Sequence, residues 1–154
     1  MLHNDPTRPT MTRKDFIAKL GIGAAFALTV PCLHSCSKDD DGMEPMPPTG
    51  INLTIDLTAS GSAALQNPGG FIVLDRVVIA RTLDGEYAAA SLVCSHENNL
   101  AVVYDDSSGE WFCGVHGARF DEDSGAPLNS VTDRNLTLYT VALSSDGNTL
   151  TVTS

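Results

Sequence analysis

The stretch CSHENNLAVVYDDSSGEWFCGVHGARFD, residues 94–121, decides how this chain reads. It opens on Cys94-Ser95-His96 and comes back to Cys113-Gly114-Val115-His116. Between them, Leu100–Tyr104 and Glu110–Cys113 are short apolar runs around Asp105-Asp106-Ser107-Ser108-Gly109, which predicts strand, turn and strand. Cysteine and histidine thus stand together on two loops, with β-structure between the loops.

Working outward, the same pattern continues. Ile51-Asn52-Leu53-Thr54-Ile55-Asp56-Leu57 alternates apolar and polar residues, which predicts a half-buried strand. Phe71–Leu74 and Val77–Arg81 are short β-branched runs, and Leu83-Asp84-Gly85-Glu86 offers a hairpin turn. Ala88–Val93 is open between strand and helix, because its alanines suit both. Leu136–Leu143 alternates again, and Asp146-Gly147 turns the chain back into Thr149–Thr153. No segment beyond residue 51 sustains a 3.6-residue period. The expected fold is all-β, a small antiparallel sandwich or barrel with the two loops at one end.

The chain has 154 residues, enough for one domain. Nine basic and 19 acidic side chains leave a formal charge of −10. That balance argues against nucleic acid, which is held by Lys and Arg, and against a basic patch for anionic lipid. The charge is uneven. Residues 1–35 hold four basic and two acidic groups, and residues 36–154 hold five and 17, a net of −12.

Residues 1–35 have the plan of a secretory signal: Arg13-Lys14-Asp15-Phe16, then an uncharged run from Leu20 to Ser37. Leu33-His34-Ser35-Cys36 resembles a lipobox, which makes Cys36 the lipidated N-terminus of the mature chain. Ser37-Lys38-Asp39-Asp40-Asp41 resembles the acidic tether of bacterial surface lipoproteins. The other reading is a retained signal-anchor helix, for which 18 uncharged residues are marginal across a hydrocarbon core of ~30 Å. Thr12-Arg13-Lys14-Asp15-Phe16-Ile17 also resembles a twin-arginine signal with Lys for the second Arg, beside the alternative of an ordinary charged leader. Either Met1 or Met11 can serve as the start. Residues 36–50, rich in Asp, Pro and Gly, read as an extended linker, and 51–154 as the domain. The implied location is the bacterial cell envelope, on a membrane through a lipid anchor.

The chain has four Cys and four His. Cys32, Cys36, His3 and His34 belong to the leader or its boundary, so the domain holds only Cys94, His96, Cys113 and His116. All four fall into one paired arrangement, Cys-x-His and Cys-x-x-His, with 16 residues between His96 and Cys113. With Gly117-Ala118-Arg119-Phe120-Asp121 and Gly125, the stretch resembles the Rieske [2Fe-2S] proteins. The resemblance implies that Cys94 and Cys113 hold one iron and His96 and His116 the other. Two neutral imidazoles in place of two thiolates raise the reduction potential and let the His-bound iron take the electron. Gly114 and Gly117 are expected to give tight turns around the cluster. A Cys2His2 zinc site is the alternative, although zinc fingers pair Cys with Cys and His with His on a hairpin and a helix.

Several positions depart from the Rieske proteins of quinol-oxidising complexes. The extra cysteines of their loop disulfide align with Asn99 and Val115, the Leu after their first histidine with Glu97, and their Ser and Tyr hydroxyl donors with Ala118 and Phe120. Fewer hydrogen bonds to sulfur imply a lower potential. Trp111 is either a core residue or a cover for the cluster. Glu97, Asp121, Glu122 and Asp123 are either a docking rim for a basic partner or a solvated loop.

The expected function is one-electron transfer between a donor and an acceptor redox protein, with no catalytic residue on this chain. Alternatives are a subunit of a larger membrane oxidoreductase and a zinc-stapled surface binding module. A complete Rieske oxygenase is excluded for this chain, because no His remains for a second iron.

Overall fold

The computed structural model describes residues 44–154. The expected signal 1–35, Cys36 and the expected linker as far as residue 43 lie outside the described residues. The strands are β1 (Asn52–Asp56), β2 (Phe71–Leu74), β3 (Val77–Arg81), β4 (Tyr87–Ser91), β5 (Val102–Asp105), β6 (Glu110–Cys113), β7 (Arg119–Phe120), β8 (Leu138–Leu143) and β9 (Thr149–Thr153). They form a six-stranded sheet in the order β1-β9-β8-β4-β3-β2 and a three-stranded sheet β5-β6-β7. Every pairing is antiparallel, so the all-β expectation holds.

Strand β3 explains how the sheets share a core. Val78 and Ala80 point to a cluster with Val102, Trp111, Phe120 and the two cysteines, while Val77 and Ile79 point to Ile55, Leu65, Leu150 and Val152. Alternation on a strand covered on both faces produces an unbroken apolar run. Burying each of these larger side chains contributes roughly 1.5–3 kcal/mol.

The alanines after Tyr87 resolve as a strand. Ala89 pairs with Ile79 on one side and Tyr139 on the other, and Ala90 with Val78 and Leu138. Two ladder partners and burial on both faces outweigh a helix preference of a fraction of a kcal/mol per residue. A 3-10 segment, Ser60–Gln66, was not legible in the sequence. It is held by Ser62 Oγ donating to the Asp56 carbonyl at 2.6 Å, Gln66 Nε2 donating to the Leu57 carbonyl at 2.6 Å, and the fully buried Leu65.

At the linker's end, residues 44–49 lie on the domain. Tyr139 Oη donates to the Pro48 carbonyl at 2.9 Å and Arg76 to the Met46 carbonyl at 3.5 Å. Asn98 Nδ2 donates to Glu44 Oε2 at 2.7 Å. An extended proline-rich segment leaves its carbonyls without internal partners, so side chains of the domain can take them.

Candidate metal centre

Each cysteine ends a ladder. Cys113 is the last residue of β6, opposite Val102, and Cys94 follows the isolated bridge between Val93 and Leu100. Beyond each, the backbone closes the same loop. Cys94 N–H donates to the Asn99 carbonyl and Asn98 N–H returns to the Cys94 carbonyl, both at 2.9 Å. Cys113 N–H donates to the Ala118 carbonyl at 2.9 Å and Gly117 N–H returns to the Cys113 carbonyl at 3.0 Å. The fourth residue after each cysteine is left-handed, Asn98 with φ 54° and Gly117 with φ 75°. Asn and Gly tolerate that region best. Gly114 is not among the left-handed residues, and a Cβ there would meet only the Ala101 carbonyl oxygen, at 4.0 Å. The left-handed conformation of this turn therefore falls at Gly117, and the backbone angle at Gly114 makes no such demand.

Both thiols are free and fully buried. Burial pushes the Cys94 thiol up to about 11, and the adjacent Cys113 sulfur adds to the rise. The backbone N–H groups of His96 and Glu97 oppose it by pointing at the Cys94 sulfur. Such donors stabilise a thiolate once a metal has displaced the proton.

The imidazoles lie farther out. His96 Nδ1 and His116 Nδ1 face each other at 3.3 Å, with ring centroids 4.9 Å apart and planes at 83°. The side chains are 25% and 36% exposed, against fully buried thiols. Two enclosed sulfurs, and two ring nitrogens that face each other across the two loops, are the donor types that a mixed thiolate–imidazole cluster needs.

A third segment, from β7 to β8, clasps both loops. Asn129 Nδ2 donates to the Gly117 carbonyl at 2.8 Å. Ser95 Oγ donates to the Arg134 carbonyl at 2.8 Å, and the Arg134 guanidinium donates to the His96 carbonyl. Sequence reading missed Asn129 and Arg134, since a lone Asn and a lone Arg in a loop carry no pattern.

Trp111 is a core residue. It is fully buried, its ring meets Tyr104 edge-on at 5.3 Å, and its indole N–H donates to the Glu122 carbonyl at 3.1 Å. Glu122 also accepts from the Tyr104 hydroxyl, so this acid of the expected rim is tied to the scaffold. Burial first, and then that bond, raise the Tyr104 hydroxyl well above its ordinary value. Beneath the second loop, Arg119 bridges Glu110 at 2.8 Å and Asp105 at 3.1 Å. Ala118 and Phe120 are buried, without hydroxyls to offer.

The Rieske [2Fe-2S] domain model matches residues 58–140, more than half of the chain. This protein belongs to the Rieske family. Among solved structures, the chain is similar to the plasma membrane Rieske protein PetC3 of the cyanobacterium Synechocystis PCC 6803, at 23% identity and a TM-score of 0.50. That match covers 66% of this chain and 99% of the other, and the likeness is one of fold. A ferredoxin of carbazole 1,9a-dioxygenase from Nocardioides aromaticivorans matches at 25% identity over 69% of this chain and 98% of its own, with a TM-score of 0.49. A comparison with curated proteins finds no match. As a Rieske protein the chain carries a [2Fe-2S] cluster and serves as an electron carrier.

Proposed function

We propose that this Rieske protein is a lipid-anchored one-electron carrier of the bacterial cell envelope. In this reading Cys94 and Cys113 would hold one iron of the cluster and His96 and His116 the other, with the mutually facing Nδ1 atoms as the available ring donors. The observation that carries it is the graded burial of the four residues, with thiols inside and imidazoles at the surface. The cluster supplies a single electron at a time. The chain encloses the sulfur end and leaves the histidine end open to another redox protein. Val115 and Leu100, both about half exposed, add apolar surface on the two ligand loops. A contact of that kind suits short-lived docking by a donor and then an acceptor. Cys36 supplies the anchor, and the acidic linker spaces the domain from the membrane.

The missing hydroxyls at Ala118 and Phe120 support a potential in the lower half of the Rieske range of about −150 to +300 mV. Low-temperature electron paramagnetic resonance on dithionite-reduced protein from residue 37 onward tests the assignment, with iron and zinc counted on the same sample. A rhombic signal averaging below the free-electron value, with two irons per chain, is expected. A silent sample holding one zinc would overturn it. In the whole chain, Cys36→Ala should release the protein from the membrane fraction.

A further inference from the structure

We propose that Glu97 is a positioning residue that sets the potential of the cluster by bridging the outer nitrogens of both histidines. The inference rests on the ligand assignment just given. With the two Nδ1 atoms turned toward each other, the Nε2 atoms are the remaining ring nitrogens. Glu97 Oε2 stands 3.4 Å from His116 Nε2, and Glu97 Oε1 stands 4.0 Å from His96 Nε2. Each carboxylate oxygen therefore serves a ring from a different loop. No other Asp, Glu or Cys in the described residues groups with these two histidines at ligand-like distances.

The physical consequence has a definite sign. At 3.4 and 4.0 Å the carboxylate acts on the rings through its charge and not through hydrogen bonds. Reduction adds one negative charge to the cluster, and a fixed negative charge at the histidine end opposes that charge. This favours the oxidised form. The Glu97 side chain is 58% exposed, so water screens the interaction and the effect is far below the dry-interior limit.

The test compares midpoint potentials of cluster-loaded wild type, Glu97→Gln and Glu97→Asp at one pH, with Asp146→Asn in the β8–β9 turn as a control for net charge. Glu97→Gln keeps the shape and removes the charge. At a fixed poise its reduced-to-oxidised ratio should rise about tenfold, which is ~59 mV for one electron. Glu97→Asp, with a shorter reach, should shift less in the same direction, and high salt should shrink the difference between wild type and Glu97→Gln. Two irons per chain and an unaltered rhombic signal in every variant show that only the potential has moved. A loaded Glu97→Gln protein whose midpoint moves no more than that of Asp146→Asn would overturn the proposal. Wild-type protein that binds no iron would instead defeat the ligand assignment.

Discussion

The two ligand loops have the same backbone frame and different means of holding their histidines. In both, the cysteine N–H bonds forward five residues, the residue four along bonds back, and that residue is left-handed. The frames buried the thiols in the same way. The histidines break the likeness, at the second residue after Cys94 and the third after Cys113. Their loops are fastened from outside by different partners. The first is held by Ser95, Arg134 and Glu44, the second by Asn129 and by the Ala101 carbonyl, which accepts from the Gly114 N–H at 3.0 Å. The comparison teaches that a short hydrogen-bonded frame suffices to place a buried thiol. An exposed ring needs contacts from distant chain.

The largest effect should come from the thiols themselves. Cys94→Ala and Cys113→Ala should each lose both irons, because an iron left with one protein ligand cannot close the cluster. Each should also lower the melting temperature by several degrees. If one variant kept two irons per chain while the other lost them, the equivalence of the frames would be broken.

Next come the left-handed positions. Gly117→Ala should cost about 1–2 kcal/mol by chemical denaturation, since nothing near its Cβ relieves the φ of 75°. Asn98→Gly should stay within a few tenths of a kcal/mol, losing the bond to Glu44 and gaining conformational tolerance. Equal costs at the two positions would show that backbone conformation is not what the frames share.

The clasp should matter less for stability than for cluster lifetime. Arg134→Ala should cost about 1 kcal/mol, below the usual range for a charge-assisted bond because the contact is exposed. It should speed iron loss to a chelator more than Asn129→Ala does, because the first loop would lose a charged tie to its histidine residue. The reverse order would place the main support on the second loop.

The smallest effect is a pH dependence confined to the second loop. The Ser107 hydroxyl above all, then the Ser107 N–H and Arg119, hold the Asp105 carboxyl down to about 2. An unfolded Asp titrates near ~3.9, so folding favours the charged form. This contribution is complete above about pH 4 and disappears as pH falls toward 2. The exchange protection of the Gly117 and Ala118 amides, relative to their intrinsic rates at each pH, should therefore fall with acid before that of Asn98 and Asn99. Asp105→Asn should remove the difference.

Much of this was legible in the chain. The alternation of Ile51–Leu57 and Leu136–Leu143 locates β1 and β8 to within two residues. The Asp-Gly pairs mark the β3–β4 and β8–β9 turns. Ala88–Val93 is ambiguous because the strand state of its first four residues comes from β3 and β8 on either side, and Leu92 and Val93 lie beyond the strand. The 3-10 segment escaped because about two turns cannot establish a period.

Spacing alone singles out Cys94, His96, Cys113 and His116, since Cys-x-His and Cys-x-x-His are local patterns and residues 51–154 hold no other Cys or His. Hydrophobic alternation likewise determined an antiparallel β-fold. Only the tertiary structure decided that Arg134 and Asn129 clasp the loops, that Glu97 spans both imidazoles and that Trp111 belongs to the core. The reason is physical: a loop's hydrogen-bond frame closes within six residues, whereas a contact from 12 or 38 residues away depends on the path of everything between.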